Sequence, residues 1–234
     1  MKKKKFNFSI AIDGSSASGK TTGSKFISKK FNFKLLSSGK LYRYLALKII
    51  KNKNNYNRNF VNKISKEVTI NKLNKYNLYI PKITKLSSII AKKKYVRNSL
   101  KQFQINFIKK NPMVIIEGRD IASKIMPNAD LKIFFRCSLQ EKTKRRLKEF
   151  RKLNKNISLK EVKKALKQRD FSDINRKESP LLFTKGAVLV DTTNLNLQQM
   201  KSKLKNLVQG EIKKKKWKFI KIYLQRLLKN LKTY

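Results

Sequence analysis

Nine consecutive residues near the start of the chain, Gly14-Ser15-Ser16-Ala17-Ser18-Gly19-Lys20-Thr21-Thr22, have the types and spacing needed to hold a run of phosphates. Gly14, Gly19, Lys20 and Thr21 fill every fixed position of G-x-x-x-x-G-K-[ST]. Glycines at those places let the backbone curl so that successive N–H groups point inward at phosphate oxygens, helped by the N-terminus of the helix that follows. Lys20 is spaced to reach the β- and γ-phosphates. Thr21 offers a hydroxyl to Mg²⁺, and Thr22 lies one residue deeper in the same turn. The chain has only seven glycines, and two of them fall on fixed positions, which argues against a chance match in a flexible turn. A nucleoside triphosphate with Mg²⁺ is the implied occupant.

Three further groups suit a second phosphorylated compound. Ser37-Ser38-Gly39 is followed by Tyr42 and Arg43, and Glu117-Gly118-Arg119-Asp120 follows an apolar run. Arg169, Asp173 and Arg176 are spaced i, i+4, i+7, so one helical face can present all three. Singly each is a weak signal, because an Arg/Asp trio is as readily a surface ion-pair ladder. Arg145 and Arg146 fit either a lid closing over the triphosphate or a solvated helix face. With no histidine in the chain, the usual general base is missing. That is no obstacle to attack by a phosphate oxygen, which is already ionised at pH 7. No N-K-x-D tetrapeptide occurs, against a GTPase, and the chain is short for a mechanical ATPase. A small-molecule kinase remains.

Apolar runs that alternate with helical patterns must position these groups, and they imply an α/β fold with a parallel sheet. Strands are expected at Phe6–Ile12, Phe33–Leu36, Met113–Ile116, Leu131–Phe135 and Ala187–Val190, five in all. Helices are expected at Lys20–Phe31 and Leu41–Lys51, with a loop at Asn52–Asn59. Thr69-Ile70 and Leu78-Tyr79-Ile80 around Asn74–Asn77 suggest a small hairpin insertion within residues 64–83. Ser87–Lys110 reads as one long helix stopped before Pro112. Ser138 with Glu141 and Ser158 with Glu161 are capping boxes, opening helices to about Arg151 and Asp170. A last helix is expected from about Leu197 to Val208. From Lys213 the tail carries Trp217, Ile220, Leu224, Leu227, Leu228 and Leu231 at helical spacing among basic residues, as in a basic amphipathic helix or a terminal helix packed on the body.

Composition sets outer limits. Of 234 residues, 60 are Lys or Arg and 13 Asp or Glu, a formal charge of +47. Such a charge attracts nucleic acid or anionic membrane. The lysines are spread along the chain, however, and Lys, Asn, Ile and Phe are all abundant, as A/T-rich coding would produce. The lone Cys137 excludes an internal disulfide and a cysteine-based metal site. Asp13 interrupts the first apolar stretch, against a signal peptide, and no run reaches the ~18 residues of a membrane span. A cytoplasmic monomer with no specific nucleic-acid partner is the expectation.

Taken in order, the motifs resemble the bacterial cytidylate kinases, a branch of the nucleoside monophosphate kinases. The resemblance covers about residues 6–205 and rests on I-D-G-S-S-A-S-G-K-T-T, L-L-S-S-G-K-L-Y-R, S-I-I-A-K-K-K-Y-V-R, E-G-R-D and R-D-F-S-D-I-N-R. It implies a P-loop NTPase fold with a parallel five-stranded sheet flanked by helices. The kinase domain would span residues 1–210, with a shortened substrate-side insertion at about 60–86, a lid at about 145–160 and the basic tail at 211–234. By the same resemblance Gly14, Ser15, Ser16, Ala17, Ser18, Gly19, Lys20, Thr21 and Thr22 would bind ATP, with Thr21 on Mg²⁺. Ser88, Arg97 and Asp120 would read the cytosine of CMP or dCMP, Asp173 and Arg169 would hold the sugar, Arg43, Arg119 and Arg176 would grip phosphates, and Ser38 and Gly39 would also bind the substrate. Lys20, Arg119 and Arg176 would be the catalytic charges. Cytosine's amino donor suits the Asp120 carboxylate, and its N3 and O2 acceptors suit Arg97 and Ser88. Ser37 departs from the family, which usually has Asp there. Kinases of AMP or UMP, and a basic nucleic-acid-binding P-loop protein, are the alternative readings.

Overall fold

In the computed structural model the chain is described over residues 6–151 and 157–231, with side chains to residue 221. Five strands form one wholly parallel sheet: β1 (Phe8–Gly14), β2 (Lys34–Ser37), β3 (Met113–Gly118), β4 (Leu131–Arg136) and β5 (Ala187–Asp191), in the order β2-β3-β1-β4-β5. All five expected strands are present, each shifted or extended by a residue or two. The inner strands are apolar on both faces, as burial between two helical layers demands. Alternate residues feed two cores. Ala11, Leu36, Val114 and Ile116 face one side, while Ile10, Ile12, Ile115, Ile133 and Phe135 face the other.

The sheet register matters most for function. Asp13 pairs with Gly118, Gly14 with Phe135, and Ser37 with Glu117. The carboxyl ends of β1, β2 and β3 therefore finish level, and the three motifs that follow them emerge along one edge, where parallel sheets gather ligands.

One helical layer holds α1 (Lys20–Phe31) and α9 (Leu197–Leu231). Met200, Leu204 and Val208 of α9 are buried with Ile27 of α1 against the sheet. The other layer holds α2 (Ser38–Lys51), α3 (Arg58–Glu67), α4 (Ile70–Lys75), α5 (Pro81–Ile90) and α6 (Lys94–Lys110). The hairpin expected within residues 64–83 is thus absent, and that stretch is helical. Helix-start chemistry overrides β-branched composition here. Asn57 accepts from the Phe60 amide, Thr69 accepts from the Lys72 amide, and Pro81 sits in the first turn of α5. Thr69-Ile70 is a cap and a first helical residue, and α3 also takes the end of the expected Asn52–Asn59 loop. Val61, Ile64, Leu73 and Ile83 then bury one face of each short helix.

The single helix expected over Ser87–Lys110 is two, broken at Ala91–Lys93. Lys93 is extended at φ −86°, ψ 120°, and the Arg97 guanidinium donates to the freed Ala91 carbonyl at 2.9 Å. Downstream lie α7 (Leu139–Arg151) and α8 (Leu159–Asn175), which share a satellite core of Leu147, Val162 and Leu166. The capping box at Ser158 is complete. At Ser138 only half forms, because the Glu141 carboxylate is taken by Arg145. The middle of the expected lid, residues 152–156, lies outside the described residues.

α9 continues unbroken past Val208. Its Trp217, at 74% accessibility, and Ile220 are exposed. The rest of the tail stripe, Leu224 to Leu231, lies outside the described side chains. Among the described residues no helix is long and apolar enough to cross a membrane.

Candidate functional site

Along the carboxyl edge of the sheet runs one cavity of about 690 Å³, lined by residues 16–22 at one end and by Ser88, Arg97 and Asp120 at the other. The loop between β1 and α1 has the curled backbone its sequence requires. Ala17 and Gly19 are left-handed, at φ 57° and φ 86°, a conformation that turns neighbouring amides towards a common centre. Gly14 has no alternative: a Cβ there would meet the Phe135 carbonyl at 2.5 Å. Lys20 is buried, and its ammonium folds back to the Ser15 carbonyl at 3.3 Å. Burial, then the charges of Arg119, Arg169 and Arg43, press its pKa down to about 7 against the pull of Glu117.

Thr21 of α1 and Glu117 of β3 meet beside the loop. The Thr21 hydroxyl donates to the Glu117 carboxylate at 2.8 Å and 3.0 Å. A hydroxyl and a carboxylate beside a phosphate loop are oxygen ligands of the kind Mg²⁺ uses when phosphates complete its shell. Among the described residues no group of three or more acidic, His or Cys side chains offers a complete metal cage.

Between the two ends stand four arginines. Arg119 donates to Asp173 at 2.8 Å and Arg176 to the other Asp173 oxygen at 3.2 Å. Burial raises the Asp173 pKa, but Arg119, Arg169 and Arg176 together outweigh it and the carboxyl is held low. Arg43 lies over the Tyr79 ring at 4.7 Å. Gly39 leaves room for it, since a Cβ there would lie 2.8 Å from Arg43 Nη1. Burial and the neighbouring cations Arg119 and Arg43 lower the Arg169 pKa to about 9. Arg43 Nε, Arg169 Nε and Arg176 Nη2 are all buried without a partner. Buried guanidinium donors are costly to leave unpaired, and three of them around one cavity fit anionic oxygens.

At the far end Arg97 and Asp120 form a buried ion pair at 2.5 Å, and the guanidinium stacks 5.5 Å from the Tyr42 ring. Ser87 and Ser88 both donate to the Thr84 carbonyl, at 2.8 Å and 3.2 Å. Asp120 is held from beneath. Asp13, next to last in β1, accepts the backbone N–H groups of Ile121 at 2.9 Å and Ala122 at 2.8 Å. It thereby fixes the short π-helical turn Ile121–Ile125 that follows Asp120. Burial lifts the Asp13 pKa to about 6 despite those two hydrogen bonds.

The expected site residues therefore come together, with adjustments. Gly14 and Ser15 form the base of the loop outside the cavity lining, while residues 16–22, Ser38, Gly39, Arg43, Ser88, Arg97, Arg119, Asp120, Arg169, Asp173 and Arg176 line it. Arg176 lies just past the end of α8, with extended backbone at φ −68°, ψ 139°, so the trio is not one helical face. Arg145 and Arg146 also line the cavity. Arg145 is tied to the Thr192 carbonyl at 2.7 Å, and Arg146 reaches the Ser16 hydroxyl at 3.3 Å. The sequence places Glu117 in the Glu117-Gly118-Arg119-Asp120 motif without a role of its own, and it gives no site role to Asp13, Tyr79 or Ser87. A strand-terminal acid after four apolar residues was the available signal for Glu117, and the acid directly before the loop was the signal for Asp13.

The family model and the curated relatives agree on one group. The family model described as cytidylate kinase matches residues 10–210. The chain is 36% identical over 223 residues to a cytidylate kinase of Phytoplasma mali, covering 86% of this chain and 94% of that one. It is 35% identical over 207 residues to the cytidylate kinase of Rickettsia rickettsii, covering 88% and 94%. A crystal structure from Thermus thermophilus superposes with TM-score 0.50 at 17% identity, over 88% of this chain and 98% of that one, a likeness of fold.

Proposed function

The chain belongs to the cytidylate kinase family, and from that premise we propose that it transfers the γ-phosphoryl group of ATP to CMP and dCMP, giving CDP and dCDP. The observation that carries this reading is the single cavity with a phosphate loop at one end, the Arg97–Asp120 pair at the other and arginines between.

ATP is assigned to Gly14–Thr22, with its phosphates on the loop amides and Lys20. Thr21 with Glu117 would hold Mg²⁺, which would supply positive charge against the triphosphate. At the other end Asp120 accepts from the cytosine amino group, and Arg97 and Ser88 donate to its ring acceptors. Uracil would set an oxygen against the Asp120 carboxylate, at a cost of about 1–3 kcal/mol. Arg169 and Asp173 hold the sugar. Ser38, Gly39, Arg43, Arg119 and Arg176 enclose the α-phosphate, whose ionised oxygen attacks the γ-phosphorus as the bond to the β-bridging oxygen breaks. Lys20, Arg119 and Arg176 balance the charge that spreads over the transferred group, and fixed guanidiniums need no reorganisation to do so. Catalysis is positioning and charge, with no proton to remove.

The test is ADP release over a panel of CMP, dCMP, UMP and AMP. Turnover of the two cytidine nucleotides well above UMP and AMP is expected. Turnover of AMP with both cytidine nucleotides inert would overturn the assignment of Ser88, Arg97 and Asp120.

A further inference from the structure

The α7–α8 pair is fastened to the phosphate loop by contacts that the transfer step does not use. Asp170, next to Arg169 on α8, turns its carboxylate away from the cavity and onto the loop. One oxygen accepts the backbone N–H of Ser16 at 3.3 Å, and the other accepts from the Lys142 ammonium of α7. The same ammonium donates to the Ser15 hydroxyl at 3.3 Å. Both side chains are largely buried, Lys142 at 8% and Asp170 at 14% exposure. Beside them the satellite core of Leu147, Val162 and Leu166 packs on Ala17 of the loop.

A buried ion pair adds little net stability over an apolar pair of the same size, but it fixes placement because breaking one half strands a charge. This one ties the rim of the phosphate loop to a helix whose cavity-facing residues are Arg169 and Asp173. Asp173 in turn orients Arg119 and Arg176 through its two oxygens. Contacts thus run from Ser15 and Ser16 through Asp170, and along one rigid helix to the groups assigned to the acceptor. A triphosphate entering the loop brings negative charge towards Asp170, whose carboxylate is held to the loop at Ser16 directly and at Ser15 through Lys142.

We propose that Lys142 and Asp170 are positioning residues that couple occupancy of the phosphate loop to placement of the acceptor-side arginines, a role that rests on the phosphoryl-transfer reading above. Neither residue lines the cavity. Their effect is that an enzyme holding ATP binds CMP differently from an empty one, and by linkage the reverse holds by the same factor.

The experiment is calorimetric titration of CMP into the full chain, with and without a non-hydrolysable ATP analogue and Mg²⁺. The wild type should show CMP Kd falling about fivefold or more on filling the loop, and Asp170→Ala should reduce that factor to below about twofold. In Asp170→Ala the CMP Kd of the empty enzyme should change little, while KM for CMP at saturating ATP rises. Asp170→Asn keeps an acceptor for Ser16 but loses the charge pairing, and should fall between. Lys142→Met is read in the same way if Asp170→Ala does not fold. A wild-type factor near one, or an unchanged factor in both Asp170→Ala and Lys142→Met, would overturn the proposal. Equal weakening of both nucleotides with the factor intact would mark the pair as merely structural. A wild type that turns over CMP but shows no coupling sinks this inference alone, whereas one that binds neither nucleotide sinks the functional reading as well.

Discussion

The Thr21 hydroxyl lies 2.8 Å from one Glu117 carboxylate oxygen and 3.0 Å from the other, so the first turn of α1 and the end of β3 converge on one point beside the phosphate loop. Under the proposed function that point is where Mg²⁺ meets the protein. Glu117→Gln keeps the shape and one acceptor while removing the charge. It should raise the Mg²⁺ concentration for half-maximal rate and lower kcat about 10–100-fold, as loss of a group that tunes a metal site does. A Mg²⁺ titration of initial rates checks this, and an unchanged midpoint would separate Glu117 from the metal.

Base choice tests the other end of the cavity. Asp120→Asn swaps an obligate acceptor for an amide that can face either base. The ratio of kcat/KM for CMP over UMP should fall about 5–150-fold, which corresponds to roughly 1–3 kcal/mol for one buried hydrogen bond. A variant that discriminates as the wild type does would remove Asp120 from base recognition.

Lys20 gives a pH dependence with a definite sign. Burial and three arginines hold its pKa at about 7 in the free protein, so near neutrality it is partly unprotonated. A triphosphate binds the protonated form, so affinity for ATP should weaken as pH rises through about 7, and binding there should take up protons. Calorimetry in two buffers of different ionisation enthalpy measures the uptake directly. For stability the sign is the opposite. Between about 7 and the ordinary 10.5 the folded state holds fewer protons on Lys20 than the unfolded chain, so this residue's contribution rises with pH across that window. Lys20→Ala should abolish the proton uptake and cost about 10²–10³ in kcat.

Asp13 is a support for the site. Its two oxygens accept two successive amides behind Asp120, and Asn can satisfy only one of them while turning an N–H towards the other. Asp13→Asn should lower stability by about 1–3 kcal/mol and reduce kcat/KM for CMP more than affinity for ATP. Thermal unfolding and steady-state kinetics on the same preparation check both.

How much of this could be read in advance depends on how local each requirement is. The phosphate loop was fully legible because one loop and one helix start satisfy it, and α1 spans the expected Lys20–Phe31. Alternation and apolar runs located the five strands but not their order. The order β2-β3-β1 brings Glu117 to Thr21, and no periodicity announces it. The stretch of residues 64–83 misled because Thr69, Ile70 and Ile80 favour strands in isolation, whereas the Asn57 and Thr69 caps and Pro81 decide the outcome. The i, i+4, i+7 spacing puts Arg176 on a helix that ends one residue before it. It still reaches Asp173, because the extended chain carries it to the same carboxylate.

The most direct measurement uses one molecule that fills both ends of the cavity, a cytidine and an adenosine joined through five phosphates. If loop, arginines and base-reading pair form one continuous site, calorimetry should give a single 1:1 binding event, far tighter than CMP or an ATP analogue alone because the second end binds at high effective concentration. Either nucleotide should displace it. Binding no tighter than the ATP analogue, and untouched by CMP, would contradict the account.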